Sequence, residues 1–106
     1  MREITPQELC AHLERADPAP LLLDVREPWE YAICRIEGSR LVPMRSVPAA
    51  ATGLDPDAEV VTICHHGIRS LMVARHLSGI GFRRVINLRG GINAWAREVD
   101  PAMPVY

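Results

Sequence analysis

Val60-Val61-Thr62-Ile63-Cys64-His65-His66-Gly67-Ile68-Arg69-Ser70 is the stretch that decides the fold. Its first four residues form an apolar run that reads as a strand buried in a parallel sheet. The residues from Ser70 to Leu77 read as a helix. Cys64 therefore stands where a strand ends and a helix is about to begin. In open α/β sheets the ligand crevice lies outside the carboxyl ends of the strands. There the first N–H groups of the following helix have no intrahelical acceptor, and the helix dipole is positive. A loop that curls its amides around one sulfur atom makes an anion cradle. Gly67 permits a backbone turn that a Cβ would hinder, and Arg69 adds a charge that does not titrate near neutral pH.

The chemistry follows from that placement. A free cysteine has a pKa of about 8.5, which a helix N-terminus or a nearby cation lowers. A dipole worth about 0.3–1 kcal/mol moves it by only a few tenths of a unit, so converging amides and Arg69 are needed for more. A thiolate held this way attacks S–S, S–O or P–O centres. The bland alternative is a buried thiol closing a strand, since cysteine is among the most buried residue types. In the nucleophile reading Cys64 and Arg69 are catalytic. The amides of His65, His66, Gly67, Ile68 and Ser70 bind the anion.

Working outward, Leu21-Leu22-Leu23 is a second continuous apolar run, closed by Asp24 as Cys64 closes the first. If the strands are parallel, both residues reach one sheet edge. Asp24 and Arg26 then support the loop or simply pair with each other. Arg2-Glu3-Ile4 reads as a short edge strand. Thr5-Pro6-Gln7-Glu8 reads as a helix start with Thr5 as N-cap, Pro6 in the first helical position and Glu8 closing a capping box. That helix buries Leu9 and Leu13 and stops before Asp17-Pro18. Pro28 to Ala32 is a short helical turn in which Trp29 and Tyr31 are packing residues. Ser39 to Val42 is a brief strand. A short helix over Arg45 to Ala51 is interrupted near Pro48. The helix after the loop, Ile68 to Ser78, is apolar on most faces and should be heavily buried, with Gly79 and Gly81 as its cap and exit. Arg84 to Leu88 is the last strand, Gly90-Gly91 turns the chain, and Trp95 anchors the final helix. Asp100 to Tyr106 is a tail whose docking the pattern leaves open.

Composition bounds the function. At 106 residues the chain makes one domain, 1–106, and its 48% hydrophobic and 24% charged content is ordinary for a globular protein. A net charge of −1 offers no electrostatic case for nucleic acid or a membrane surface. All 12 basic residues are arginine, so no lysine serves as base or Schiff-base former. Three widely spaced cysteines, Cys10, Cys34 and Cys64, argue against a disulfide framework and for a reducing compartment, with the cytoplasm as default. Cys34 would serve as a resolving thiol only if folding brought its Cα within about 7 Å of that of Cys64. Adjacent side chains at 64 to 66 point apart, and no cluster completes a tetrahedral site, so no metal is expected.

Four segments in order give the chain a family resemblance. Leu21 to Glu27 with Trp29-Glu30-Tyr31, then Arg35 to Ser39 with Val42-Pro43, precede the Cys64-His65-His66-Gly67-Ile68-Arg69-Ser70 loop. Gly81-Phe82, Val85, Leu88, Gly90-Gly91 and Ala94-Trp95 follow it. Together they resemble the rhodanese-like sulfurtransferase domains in their small single-domain form, departing at Cys34 and Arg35. The resemblance implies an α/β three-layer domain with a mainly parallel five-stranded sheet flanked by helices. It also implies sulfur transfer from a donor such as thiosulfate through a persulfide on Cys64 to a thiophilic acceptor, without a cofactor. Partners would be a small anionic sulfur donor, a thiol acceptor and a sulfur-relay protein. His65 and His66 would line the pocket mouth and guide an anion when protonated. Two other classes stay open. Phosphate or arsenate chemistry also uses a cysteine in an amide cradle, but four residues separate Cys64 from Arg69, a shorter span than in cysteine-dependent protein phosphatases. A non-catalytic or redox-sensing binding module would use the same thiol.

Overall fold

The computed structural model describes residues 1–106. Five parallel strands form one sheet in the order β1-β5-β4-β2-β3, where β1 is Arg2–Ile4, β2 Leu21–Asp24, β3 Arg40–Leu41, β4 Glu59–Ile63 and β5 Arg84–Leu88. Five helices connect them: α1 Pro6–Arg15, α2 Pro28–Ile33, α3 Val47–Ala51, α4 Ile68–Gly79 and α5 Gly91–Glu98, with a 3₁₀ turn at Met44–Ser46 before α3. The three-layer α/β architecture is the expected one, and every strand pair is parallel.

Alternation along the strands divides the core in two. Leu23, Val60 and Val85 point to one face and pack with Val73, Ala74 and Leu77 of α4. Leu22, Val61 and Ile86 point to the other and pack with Leu9 of α1 and with Ile92 and Trp95 of α5. Adjacent residues must face opposite sides of a pleated strand, so a continuous apolar run marks a strand covered on both faces. Cys64 lies in the first cluster and Cys34 in the second, so the two thiols pack on opposite faces and Cys34 is no resolving partner.

The start of α1 is as expected: Thr5 Oγ1 accepts from the Glu8 N–H at 3.2 Å and Glu8 Oε1 accepts from the Thr5 N–H at 2.9 Å. Other expectations need correction. Only Ser70, Val73, Ala74 and Leu77 of α4 are buried, while Ile68 and Met72 are exposed. Counting apolar residues overstated burial, because a helix lying on one sheet face hides a single stripe. Pro48 opens α3 instead of interrupting it, as its missing N–H costs nothing in a first turn. Gly79 lies inside α4, and the chain leaves through Ile80 and Gly81, the latter at φ +106°. Trp29 is largely exposed and lies outside both core clusters, not packed in the interior as expected. The tail docks: Met103 packs against the second cluster and carries Tyr106 back to the loop.

Candidate active site

Cys64 follows β4 directly, on the α4 face that Val60 and Thr62 also share, and is 1% exposed. Its Sγ accepts the Gly67 N–H at 3.0 Å and the Ser70 N–H at 3.3 Å. Cys64 O accepts from the Ile92 N–H at 2.8 Å and His65 O from the Asn93 N–H at 3.0 Å, both from the first turn of α5. Gly67 O accepts from Asn87 Nδ2 at 3.3 Å. These three bonds fasten the loop to α5 and β5.

Glycine makes that approach possible. Gly67 has φ +98°, and a Cβ there would sit 3.1 Å from the Gly90 nitrogen. A Cβ on Gly91, at φ +60°, would come within 2.6 Å of the His65 carbonyl oxygen and into that of Cys64. Loop and helix start therefore meet backbone to backbone. Asn87 is fully buried and lies in a polar row across three strands, paired in register with Thr62 on one side and Glu3 on the other. Its Nδ2 also donates to Glu3 Oε2 at 3.0 Å and its Oδ1 accepts from Thr62 Oγ1 at 3.2 Å, which fixes the direction of the amide.

The opposite flank is held by charge. Arg69 makes a two-pronged pair with Glu30, Nη1 to Oε1 at 2.7 Å and Nη2 to Oε2 at 2.9 Å. Glu30 is 4% exposed in its side chain and Arg69 36%. The Arg69 hydrogen bonds outweigh burial and hold the Glu30 carboxyl at about 2, and Glu30 raises Arg69 in return. Glu30 Oε1 accepts from the Glu27 N–H at 3.0 Å, so the capping box of α2 aims the carboxylate. Ser70 Oγ is buried without a protein partner.

Asp24 is in register with Ile63, one residue before Cys64, and pairs with Arg26 in a fully buried bridge. Arg26 Nε donates to Asp24 Oδ1 at 2.9 Å and Nη2 to Asp24 Oδ2 at 2.8 Å, while Nη2 also reaches Cys34 O at 2.7 Å. His65 is half-buried, its ring stacked between His66 and Tyr106 at 3.9 Å on each side. Burial first and the neighbouring His66 second lower its pKa, so His65 is uncharged near neutral pH and any anion steering from it belongs to acid. The loop residues from Cys64 to Ser70 and the Asp24–Arg26 pair thus gather at the carboxyl edge of the sheet. Sequence reading passed over Glu30, Asn87 and Tyr106. Glu30 had a signal, its place in the Trp29-Glu30-Tyr31 segment, whereas the partners of Asn87 and Tyr106 are distant in the chain.

A thiol that accepts two backbone amides at the carboxyl end of a parallel strand, one turn from an arginine, is an arrangement able to carry cysteine-dependent group transfer. The chain belongs to the rhodanese-like domain family, whose model matches residues 5–98. It is 37% identical over 101 residues to a sulfurtransferase of Allochromatium vinosum, covering 95% of this chain and 94% of that protein. It is 35% identical over 94 residues to the thiosulfate sulfurtransferase GlpE of Ectopseudomonas mendocina, covering 89% and 84%. The crystal structure of a rhodanese-like domain protein from Staphylococcus aureus superposes with a TM-score of 0.84 at 30% identity, covering 93% of this chain and 95% of that one. Some relatives are longer: the chain spans 38% of a chloroplastic rhodanese-like/PpiC domain protein of Arabidopsis thaliana, at 35% identity and 100% of its own length. Sulfurtransferases are thus among the relatives that this chain matches over nearly its full length. No helix is long and apolar enough to cross a membrane.

Proposed function

We propose that the chain moves sulfane sulfur by a two-step, ping-pong route on Cys64. The Cys64 thiolate attacks the outer sulfur of thiosulfate. A new S–S bond forms, the sulfur–sulfur bond of thiosulfate breaks, and its electron pair leaves with sulfite. The resulting persulfide carries its negative charge on the terminal sulfur, which the loop amides from His65 to Ser70 hold. An acceptor, cyanide in the assay or a thiol in the cell, then removes that sulfur and restores the thiolate. Arg69 meets the oxyanion of the donor and offsets charge as the bond breaks. Asp24 and Arg26 support the strand end from behind, and residues 1–106 act as one domain. Three free cysteines suit the cytoplasm.

One observation carries this reading: the Sγ of Cys64 already accepts two backbone N–H groups, from Gly67 and Ser70. Thiocyanate production from thiosulfate and cyanide tests it. Wild type forms product and Cys64→Ala forms none; equal rates from both would end the proposal. Aryl phosphate is expected to stay intact, because the short loop fits one sulfur better than a tetrahedral phosphate.

A further inference from the structure

Residues 99 to 106 lie beyond the part of the chain that the family model matches, yet the last of them sits on the candidate site. The tail leaves α5 through the Asp100 N–H, which donates to Trp95 O at 3.0 Å, and turns where the Met103 N–H donates to Asp100 O at 3.0 Å. Tyr106 then meets four side chains, two through its ring and two through its hydroxyl. Its ring stacks on His65 at 3.9 Å and an interplanar angle of 11°. Its hydroxyl accepts from Arg26 Nη1 at 3.0 Å and donates to Glu30 Oε2 at 2.7 Å. Trp29 meets the same ring edge-on at 5.7 Å.

The hydroxyl thus joins the side chains of two ion pairs, the buried Asp24–Arg26 pair and the Glu30–Arg69 pair at the mouth, beside the bond at 3.3 Å that Arg26 Nη1 gives to the Glu30 main-chain carbonyl. Glu30 Oε2 receives both the Tyr106 O–H and Arg69 Nη2, so the tyrosine shares the carboxylate with the arginine and fixes the plane in which Arg69 can fork onto it. Burial pushes the Tyr106 phenol up to about 12, which keeps it a neutral donor near neutral pH.

From this we infer that Tyr106 is a positioning residue for the donor half of the reaction. It acts through Glu30 to hold Arg69 where an incoming dianion meets it, and its ring keeps the first residue after the nucleophile in place. The inference rests on the sulfur-transfer reading above. It concerns a residue outside the matched segment, and the hydroxyl and the ring have separable parts.

The test is the rate of persulfide formation, read by intact mass as one sulfur added on Cys64 at increasing thiosulfate. Wild type, Tyr106→Phe, Tyr106→Ala, Glu30→Gln and the Glu30→Gln/Tyr106→Phe double variant are compared, each with its thermal midpoint. Tyr106→Phe should weaken apparent donor affinity by roughly three- to tenfold, the size of one partly shared hydrogen bond, with the limiting rate within about twofold of wild type. Tyr106→Ala should fall further. The double variant should behave as Glu30→Gln alone, because the two changes break one path. Independent, multiplying effects would overturn the route through Glu30, and a Tyr106→Phe protein with wild-type affinity would overturn the role itself. A wild type that takes up no sulfur sinks the parent reading instead, a result distinct from either.

Discussion

The two flanks of the Cys64 loop are built differently. Toward α5 and β5 the loop is held by backbone: carbonyls of Cys64 and His65 on the Ile92 and Asn93 amides, and Gly67 against Gly90. Toward α2 it is held by side chains, the charged Glu30 and Arg69 with the neutral Tyr106 hydroxyl on the same carboxylate. The backbone flank sets where the loop lies, and no charged side chain touches the loop there; the nearest carboxylate, Glu3, reaches it only through Asn87. The charged flank sets where a cation stands, and it responds to acid and to single-atom changes. Shape and charge at this site are therefore separable, and each flank can be broken without touching the other.

Gly91→Ala should have the largest effect. A methyl there meets two carbonyl oxygens at a left-handed φ, so loop and α5 cannot both keep their places. Crowding plus backbone strain should cost more than about 3 kcal/mol in urea unfolding and abolish persulfide formation in whatever folds. An alanine variant with wild-type stability would show that the close approach is unimportant. Asn87→Leu comes next. It removes the side-chain donor to Gly67 O and the partner that Glu3 and Thr62 share, for about 1–3 kcal/mol of stability. Turning the loop amides slightly should slow persulfide formation between roughly tenfold and a hundredfold. Slowing in proportion to unfolded protein alone would reduce Asn87 to a structural part.

The contrast between the flanks also explains what the sequence revealed. The strand end, the glycine turn and the helix start of the loop are contiguous, and each follows from local rules: an apolar run, a position needing positive φ, unpaired first-turn amides. The capping box of Thr5 and Glu8 was legible for the same reason. The charged flank was not. Glu30 and Arg69 are 39 residues apart and Glu30 and Tyr106 are 76 apart, with no spacing rule to connect them. The depth of α4 was misjudged because apolar count does not tell which stripe faces the sheet. Trp29 was misjudged because its size suggests burial while its neighbour Glu30 takes the inward position.

Acid should break the charged flank while leaving the other intact. Glu30 has a carboxyl at about 2 in the folded chain against an ordinary value of 4.5, so the unfolded chain binds more protons between those limits. The sign is thus fixed: the contribution is fully present above about pH 4.5 and is lost as pH falls toward 2. Its size should be about 2 kcal/mol, less than the bare shift gives, because Arg69 is partly exposed and water screens the pair. Urea midpoints followed from pH 6 to about pH 3 should fall in wild type and flatten in Glu30→Gln. Parallel slopes in the two proteins would mean that another carboxylate carries the acid response.

The smallest effect belongs to His65, where the two flanks meet: its carbonyl is held by α5 and its ring by Tyr106. Burial lowers its pKa below the ordinary 6.5, so folding disfavours the protonated ring. The corresponding stability is complete above pH 6.5 and drains away as pH drops below it. Removing the tyrosine ring uncovers the imidazole without disturbing its carbonyl. The titration midpoint of His65, followed by NMR of its ring protons, should lie below 6.5 in wild type and climb toward it in Tyr106→Ala, with the loop amide resonances unmoved. If the amides shift together with the ring, the flanks are coupled through this residue, and the separation of shape from charge fails at the point where it is easiest to see.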